Sequence, residues 1–383
     1  MEVDRLPAGH QFRDDETVMR YALKLATCGL GFVEPNPMVG AVITDQHRRL
    51  VSDGWHRRFG GAHAEVMAMS EASETVGHRL FVTLEPCSHH GKTPPCSEAV
   101  ICAGFQDVNV GCEDPASHVS GRGIAMMRDA GLTVHVGLCQ QESHELIRPF
   151  ATLQTRGRPW VHAKWAMTLD GRIAASTGQS QWISGEESRA VVHQLRGRMD
   201  AIITGAGTVA ADDPQLTARP PGPRTATRVV LDSRGTGISP KSQLVKTLNA
   251  APLLVAVSDT ANSKTVTALE AAGAEVVRLP SIADGRVCVS ALLKELGRRD
   301  MTNVLVEAGS GVLGSFFDAQ LIDEVHVFVA PKLVGGVDAR PAIGGKGREA
   351  IPKMPDLMVV DMQRFEDDIL IRGRINRTDL AGM

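Results

Sequence analysis

The sequence predicts an α/β protein of two domains, and three observations support this prediction. The chain has 383 residues, about twice the size of a common domain. Apolar residues make up 43% of it and charged residues 22%, as is typical of globular proteins with sizeable cores. Short apolar runs alternate with amphipathic helical patterns on either side of a polar break, QTRGRPW at 154–160. We therefore expect domains at 1–153 and 158–375.

The first half opens with a predicted helix and continues as an alternation of strands and helices. In DDETVMRYALKLATCGL, acidic residues precede apolar ones at helical spacing, from Met19 to Leu30. The expected strands are MVGAVIT, LVSDGW, RLFVTLE, DVNVGC and LTVHVG. The further helices are AHAEVMAMSEA, CSEAVICAG, GRGIAMMRDAG and a long one from about Gln140 to Thr155. This order predicts a sheet between helices.

The second half repeats the alternation with different sequences. The expected strands are WVHAKWAM, DAIITGAG, RVVLDS, LLVAVS, NVLVEAGSG and EVHVFVAP. Helical patterns such as SRAVVHQLRGRM separate several of them, and proline and glycine mark loops at 220–223 and 331–336. Since no internal repeat relates the halves, we expect two different α/β domains.

Charge and hydropathy exclude two classes of protein. The net charge is −3, with 41 basic and 44 acidic residues. A general nucleic-acid binder would normally carry a basic excess, whereas a small anionic substrate needs only a few local arginines. The start, MEVDRLPAGHQFRDDET, lacks the pattern of a signal peptide, and no apolar run is long enough to span a membrane. We expect a cytoplasmic protein.

Two cysteines flank a polar loop in LEPCSHHGKTPPC, residues 84–96. Cys87 and Cys96 could form a disulfide, be unrelated thiols, or be two metal ligands that need a third. A cytoplasmic location and an odd total of seven cysteines disfavour the disulfide. His63, at the predicted start of a helix in GGAHAEV, is the candidate third ligand. Cys96 also lies at a predicted helix start, where the helix dipole favours a thiolate. We therefore expect His63, Cys87 and Cys96 to bind zinc.

Three protein ligands leave a fourth position for water, which is typical of catalytic zinc. Bound zinc lowers the pKa of that water to roughly 7. Glu65 is not a ligand and is the candidate general acid/base. The order H-x-E followed by P-C and a second cysteine is that of zinc-dependent nucleobase deaminases. The spacing differs, because eight residues separate the cysteines where two are usual, and His89 and Lys92 of this insertion would lie at the pocket mouth.

A glycine motif marks the second half. NVLVEAGSGVLGSFFDAQ predicts a strand, then G-x-G-x-x-G at Gly309, Gly311 and Gly314, then a helix. Glycines there would let a pyrophosphate approach the N–H groups of a helix start. As a Rossmann fingerprint the motif is weak, because it lies near the end of its domain and no acid follows roughly 20 residues on. A chance glycine turn is the open alternative.

Longer motifs carry a specific resemblance. PNPMVGAVI (35–43), GWHRRFGGAHAEV (54–66) and EPCSHHGKTPPC (85–96) resemble the bifunctional riboflavin-biosynthesis deaminase/reductase family. The second half resembles it in KWAMTLDGRIA, SQWIS, TVAADDPQLTAR, VLDSRG and VEAGSG. The resemblance runs from about residue 15 to about 373, and the long cysteine spacing is itself a feature of the family. It implies an N-terminal cytidine-deaminase-like α/β/α sandwich and a C-terminal dihydrofolate-reductase-like α/β domain.

The resemblance implies two consecutive reactions. First, 2,5-diamino-6-(5-phosphoribosylamino)pyrimidin-4-one loses its ring 2-amino group as ammonia, which gives 5-amino-6-(5-phosphoribosylamino)uracil. NADPH then reduces the ribosyl chain to ribityl. The implied cofactors are one Zn²⁺ per chain and NADPH. The implied partners are small phosphorylated pyrimidines, not nucleic acid or a membrane, and a homodimer is expected on general grounds.

The resemblance also implies site residues. In the first domain, the substrate contacts are Asn36, His56, His89 and Lys92. The NADPH contacts are Ala166, Trp182, Thr208, Asp212, Ser233, Gly309, Ser310, Gly311, Val312, Leu313, Gly314 and Ser315. The substrate contacts of the second domain are Ser180, Arg196, Leu216, Arg219 and Glu307. Arg196 and Arg219 suit a phosphate, because guanidinium groups bind it bidentately, and Arg234 is a candidate for the 2′-phosphate of NADPH.

Some alternatives stay open from sequence. Arg196 could be a solvated helix residue and Trp182 a core residue, and no side chain identifies itself as the proton donor of the reduction. A tRNA or nucleoside deaminase with an accessory domain would share the first-half motifs, but the acidic balance and the second-half motifs oppose it. A zinc-stabilised binding module would need a fourth protein ligand, for which His89 or His90 could serve.

Overall fold

The computed structural model describes residues 3–88, 94–116, 120–352 and 357–375. The chain divides into two compact units, Met1–Gly157 and Arg158–Met383. His89, His90 and Lys92 lie outside the described residues. Among the described residues, no helix is both long and apolar enough to cross a membrane.

The first unit is a five-stranded sheet between helices. Its helices are α1 (Asp15–Ala26), α2 (Ala64–Glu71), α3 (Cys96–Cys102), α4 (Arg122–Asp129), α5 (Gln140–Leu146) and α6 (Arg148–Arg156). Its strands are β1 (Gly40–Thr44), β2 (Leu50–Trp55), β3 (Arg79–Leu84), β4 (Asp107–Cys112) and β5 (Thr133–Val136). The sheet order is β2-β1-β3-β4-β5. The pairs β2/β1 and β1/β3 are antiparallel, while β3/β4 and β4/β5 are parallel.

Alternate residues of the strands bury opposite faces of this sheet. Ala41 and Ile43 of β1 pack in the cluster that includes the buried residues of α2, α3 and α4. Val42, between them, packs in the other cluster, with the buried side of α1. The predicted sandwich of a sheet between helices is therefore confirmed.

The predicted long helix at the end of this unit is wrong. α5 ends at Leu146 and α6 begins at Arg148, with Ile147 between them at φ −97° and ψ 6°. Pro149 lies in the first turn of α6. Proline has no N–H and clashes with the preceding turn of a helix, so it is tolerated in a first turn but would break a continuous helix.

The second unit is built on a larger and mostly parallel sheet. Its helices are α7 (Glu186–Arg196), α8 (Ala206–Asp212), α9 (Gln243–Lys246), α10 (Ser263–Ala271), α11 (Val289–Arg298) and α12 (Ser310–Asp318). Its first strands are β6 (Trp160–Thr168), β7 (Arg172–Ala174), β8 (Ala201–Gly205), β9 (Thr227–Leu231), β10 (Leu253–Ser258) and β11 (Glu275–Leu279). The remaining strands are β12 (Asn303–Val306), β13 (Glu324–Ala330), β14 (Arg340–Pro341), β15 (Leu357–Phe365) and β16 (Asp368–Ile375).

Nine of these strands form one sheet in the order β11-β10-β9-β8-β12-β6-β13-β16-β15. The pairs from β11 to β13 are parallel, and the hairpin β15–β16 continues the sheet in antiparallel pairing. Helices α11 and α12 pack on one face of the sheet, and α7 to α10 pack on the other. The expected strands of this half are present, whereas β11 and the hairpin β15–β16 were not anticipated.

Candidate active sites

The three expected metal ligands converge in the first unit. His63 caps the start of α2 with extended backbone (φ −75°, ψ 166°), and Cys96 is the first residue of α3. Cys87 lies in the loop that follows β3. The Nδ1 atom of His63 lies 3.2 Å from the Cys96 sulfur and 3.6 Å from the Cys87 sulfur. Zinc bonds of about 2.0–2.1 Å to nitrogen and 2.3 Å to sulfur place such atoms roughly 3.6 Å apart around a tetrahedral ion. The donor set and its spacing therefore fit zinc.

The two cysteines are free, so the disulfide alternative is wrong. The Cys96 thiol and the His63 ring lower the pKa of Cys87 to about 4, although burial opposes this shift. The Cys96 backbone N–H also donates to the Cys87 sulfur at 3.4 Å. The Cys87 sulfur, together with burial, raises the pKa of Cys96. Both sulfurs would hold a metal as thiolates, because metal ligands must be deprotonated.

Glu65 lies in the first turn of α2 with its side chain buried. Burial raises the pKa of Glu65 to about 7, and the nearby His63 partly opposes that shift. The carboxyl group also contacts the Cys96 thiol. A carboxyl group with a pKa near neutrality can both accept and donate a proton. Side chains two positions apart within a helix point in different directions. His63 is the N-cap residue and has extended backbone, so its side chain and that of Glu65 can face the same site.

His56 and Asn36 form a pair beside the metal ligands. The Nδ1 atom of His56 lies 3.0 Å from the carbonyl oxygen of Ala62 and must therefore carry the ring hydrogen. Nε2 then accepts a hydrogen bond from the Asn36 amide nitrogen at 3.1 Å. The His56 ring centroid is 5.2 Å from that of His63, and burial lowers the pKa of His56. His56 is thus a neutral ring that orients the Asn36 amide.

Sequence inspection missed Glu85, which precedes Pro86 and Cys87. Its buried carboxylate accepts four backbone N–H groups from the region of the α4 start. The four donors lie at 3.1, 2.9, 2.8 and 3.3 Å and belong to Asp114, Gly121, Gly123 and Ile124. A Cβ atom on Gly123 would lie 2.1 Å from the Pro86 carbonyl oxygen. Glu85 and Gly123 therefore hold the chain that carries Cys87 against α4, a role that needs tertiary contacts to be visible.

The second unit contains a cleft of about 1160 Å³. It is lined by most of the residues expected to contact NADPH or substrate: Ala166, Ser180, Trp182, Arg196, Thr208, Asp212, Leu216, Arg219, Ser233, Glu307, Gly309, Ser310, Gly311, Val312 and Ser315. Arg234 also lines it. Leu313 and Gly314 do not. Leu313 is fully buried in the core, and a Cβ atom on Gly314 would lie 2.4 Å from the backbone of Gly344. Those two positions serve packing.

The glycine motif differs from the predicted strand, loop and helix. α12 already begins at Ser310, so Gly309 is its N-cap and Gly311 lies in its first turn. The Gly309 N–H donates to the Thr208 hydroxyl at 3.2 Å, which ties the helix start to α8. Among the described residues, no atom from outside this part of α12 lies within 4 Å of the place where Gly311 would carry a Cβ. An open helix start with N–H groups that lack intrahelical partners suits a pyrophosphate.

Three charged side chains form a cluster inside the cleft. Arg196 donates to Glu307 through Nε at 2.8 Å and through Nη2 at 2.9 Å, and Lys164 Nζ lies 3.6 Å from the same carboxylate. Burial by itself would raise the pKa of Glu307, but the charges of Arg196 and Lys164 lower it to about 2. Burial lowers the pKa of Lys164.

This cluster corrects two sequence expectations. The bidentate face of the Arg196 guanidinium is bound to Glu307, so it is not free to bind a phosphate. The alternative of a solvated Arg196 is also wrong, because only 14% of its side chain is exposed. Lys164 was missed. Its signal was a single lysine within the apolar strand WVHAKWAM.

Other expected contacts lie at the cleft wall. Trp182 is 64% exposed, with the Arg189 guanidinium 4.6 Å from its ring centroid, so the core alternative for Trp182 is wrong. Arg219 donates to the neutral oxygens of Gln215 at 3.0 Å and Thr217 at 2.9 Å, which leaves its charge for an anionic ligand. Ser233 accepts the Val287 N–H at 3.0 Å.

Comparison with known proteins assigns a family to each half of the chain. Residues 12–112 match the cytidine and deoxycytidylate deaminase zinc-binding region, and residues 159–371 match the RibD C-terminal domain. The riboflavin biosynthesis protein RibD of Bacillus amyloliquefaciens is 38% identical over 357 residues, which cover 93% of this chain and 95% of that protein.

Two solved structures are similar over nearly the whole chain. A diaminohydroxyphosphoribosylaminopyrimidine deaminase/5-amino-6-(5-phosphoribosylamino)uracil reductase from Thermotoga maritima has a TM-score of 0.80 at 36% identity, covering 94% of this chain and 98% of that one. RibD from Acinetobacter baumannii has a TM-score of 0.81 at 32% identity, covering 95% and 99%.

The folds and the two sites define a bifunctional enzyme, a zinc-dependent deaminase with a cytidine-deaminase-like fold joined to an NADPH-dependent reductase with a dihydrofolate-reductase-like fold. The alternative of a non-catalytic binding module is therefore wrong. The chain belongs to the RibD family of riboflavin biosynthesis proteins. The resemblance indicated by its motifs is confirmed.

Proposed function

We propose that the chain deaminates 2,5-diamino-6-(5-phosphoribosylamino)pyrimidin-4-one in its first unit and reduces the phosphoribosyl chain of the product to ribityl in its second. The observation that supports this most directly is the grouping of His63, Cys87 and Cys96 with the buried Glu65 in a member of the RibD family.

In the deamination, His63, Cys87 and Cys96 would hold zinc, which when bound supplies a water of lowered pKa. Glu65 would serve as the general acid/base that moves protons to a ring nitrogen and to the leaving amine. A pKa of about 7 suits both directions of transfer. Asn36, oriented by His56, offers an amide to the ring edge. His89 and Lys92 remain proposed phosphate-side contacts.

In the reduction, NADPH supplies the hydride and the protein supplies position and charge. The start of α12 is the proposed pyrophosphate site and Arg234 the proposed contact of the 2′-phosphate, since both line the cleft. Arg219 is the proposed partner of the substrate phosphate. Glu307 stays ionised and can accept hydrogen bonds from sugar hydroxyls. Lys164, whose pKa burial lowers, is suited to donate the proton that accompanies the hydride.

Product identification by mass spectrometry tests this proposal. With the diaminopyrimidine phosphate alone, we expect ammonia and the uracil product, in which oxygen replaces an NH group. With NADPH added, we expect a further product that has gained two hydrogens. Glu65→Gln should retain zinc and lose ammonia release. Ammonia release by Glu65→Gln at the wild-type rate would contradict the assigned role of Glu65.

We also propose that the protein is a cytoplasmic homodimer. The outer edge of the large sheet is the strand β15, on which Val359 is 53% exposed and Met362 is 62% exposed. An edge strand with exposed apolar side chains favours pairing with a second copy. Sedimentation should give a dimer for the wild type and a weakened dimer for Met362→Lys, whereas a monomeric wild type would contradict this.

A further inference from the structure

A second group of metal-ligand residues lies in the reductase unit, and the proposed reactions do not use it. His162 on β6 and Glu324 and His326 on β13 place one ligand atom each within 4.8 Å of one another. They lie on adjacent strands, where Glu324 is the register partner of His162 and His326 is the partner of Lys164. The three residues are at most 9% exposed.

The spacing within this cluster is that of atoms around a shared ion. His162 Nδ1 and His326 Nε2 are 3.3 Å apart, and His326 Nε2 is 3.4 Å from Glu324 Oε1. Both separations lie at the long end of the range for hydrogen bonds. Zinc bonds of about 2.0–2.1 Å place two ligand atoms of a tetrahedral site about 3.3 Å apart. The zinc ligands of the first unit show similar separations of 3.2 and 3.6 Å.

The tautomer of His162 is the one that a metal ligand needs. Asn303 donates its amide N–H to the Thr302 hydroxyl at 3.2 Å, which turns its Oδ1 atom toward His162. At 3.2 Å from that oxygen, His162 Nε2 must carry the hydrogen. Nδ1, the atom that faces His326, therefore presents a lone pair. A metal-binding histidine typically donates its other N–H to an oxygen in this way.

The donor set and the neighbouring charges bear on how the cluster would hold a cation. Two imidazoles and one carboxylate form a donor set that suits a divalent cation. Glu324 forms an ion pair with Arg372. Arg372 also donates to Glu324 Oε1, and a carboxylate oxygen has lone pairs for two partners. Arg198 adds positive charge near His326, so an ion here should be held less tightly than one at the thiolates.

We propose that His162, Glu324 and His326 bind a second divalent transition-metal ion, for which zinc is the best fit to two imidazoles and one carboxylate. The ion would join β6 to β13. Lys164 follows His162 two positions later on the same face of β6, so the ion would also stiffen the strand that carries Lys164 into the cleft.

Metal content measures this directly. The full chain is loaded with excess zinc, desalted, and analysed by mass spectrometry for zinc per protein. We expect two ions per chain for the wild type and one each for His326→Gln and Cys96→Ser, with none for the double variant. His135→Gln, at an exposed histidine on β5, is the matched control and should keep two. A wild type that holds one ion, or a His326→Gln variant that keeps two, would overturn the proposal.

Cobalt gives a second measurement that does not depend on the folding of His326→Gln. Cys96→Ser loaded with Co²⁺ should show visible d–d absorption from the remaining site, without the strong sulfur charge-transfer band that the wild type shows. His162→Gln in the wild-type background should keep the charge-transfer band and lose part of the d–d absorption. Failure of Cys96→Ser to bind cobalt would overturn the proposal.

Discussion

Glu85→Gln tests how the chain that carries Cys87 is held. In the wild type, Glu85 Oε2 accepts the N–H groups of Asp114 at 3.1 Å and Gly121 at 2.9 Å, and Oε1 accepts those of Gly123 and Ile124. Glutamine can keep the second pair, but its NH₂ group then faces two N–H donors. A hydrogen bond to a charged group contributes about 1.5–3 kcal/mol. Losing two of them should lower the free energy of unfolding by about 3–6 kcal/mol.

Denaturant unfolding, followed through the loss of zinc and of secondary structure, measures this change. Glu98→Gln is the matched control, because Glu98 lies in the first turn of α3 close to Cys96 but is exposed. We expect Glu98→Gln to stay within about 0.5 kcal/mol of the wild type, as for ordinary surface substitutions. If Glu85→Gln and Glu98→Gln unfold at the same denaturant concentration, the reasoning about the buried carboxylate is refuted.

Three other predictions concern both units. Gly123→Ala should destabilise the first unit by about 1–3 kcal/mol and reduce zinc content, because the new Cβ would lie 2.1 Å from the Pro86 oxygen; an unchanged zinc content would contradict this. Glu307 has a lowered pKa of about 2, so its stabilising contribution is present above about pH 4.5 and lost as the pH falls toward 2. Between about pH 4.5 and 2, the free energy of unfolding should therefore fall less steeply in Glu307→Gln than in the wild type. Equal slopes for the two proteins would refute this prediction. In steady-state kinetics, Arg219→Ala should raise KM for the phosphoribosyl substrate, and Trp182→Ala should raise KM for NADPH. Unchanged KM values would contradict these assignments.

The strands that were predicted well from sequence are those whose apolar residues reflect burial in the sheet. β1, β8, β10 and β12 are buried along their full lengths and are dense in apolar residues. Where a strand lies at an exposed edge, this signal fails. β15 is mostly exposed and was missed, and the join between α5 and α6 was missed although Pro149 marked it.

The residues of the candidate sites also fall into those that sequence motifs predicted and those that only the fold revealed. The zinc site could be anticipated from short motifs, because the types and order of their residues are typical of zinc-dependent deaminases. These residues are His63, Glu65, Cys87 and Cys96. No sequence motif indicates the roles of Glu85 and Lys164. Their roles depend on partners that the fold brings from far along the chain, such as Gly123 for Glu85 and Glu307 for Lys164.

The sequence by itself predicted two α/β domains, a candidate set of zinc ligands and the family of the chain, because these depend on local periodicity and on contiguous motifs. Only the tertiary structure decided that the bidentate face of Arg196 binds Glu307, and that His162 meets His326 across two paired strands. The physical reason is that a charge or a lone pair acts on whatever lies within a few ångströms. The pairing of β6 with β13 brings His162 to His326 across 164 residues, and the contact of the α7 end with the residue after β12 brings Arg196 to Glu307 across 111 residues. A sequence pattern carries no distance over such separations.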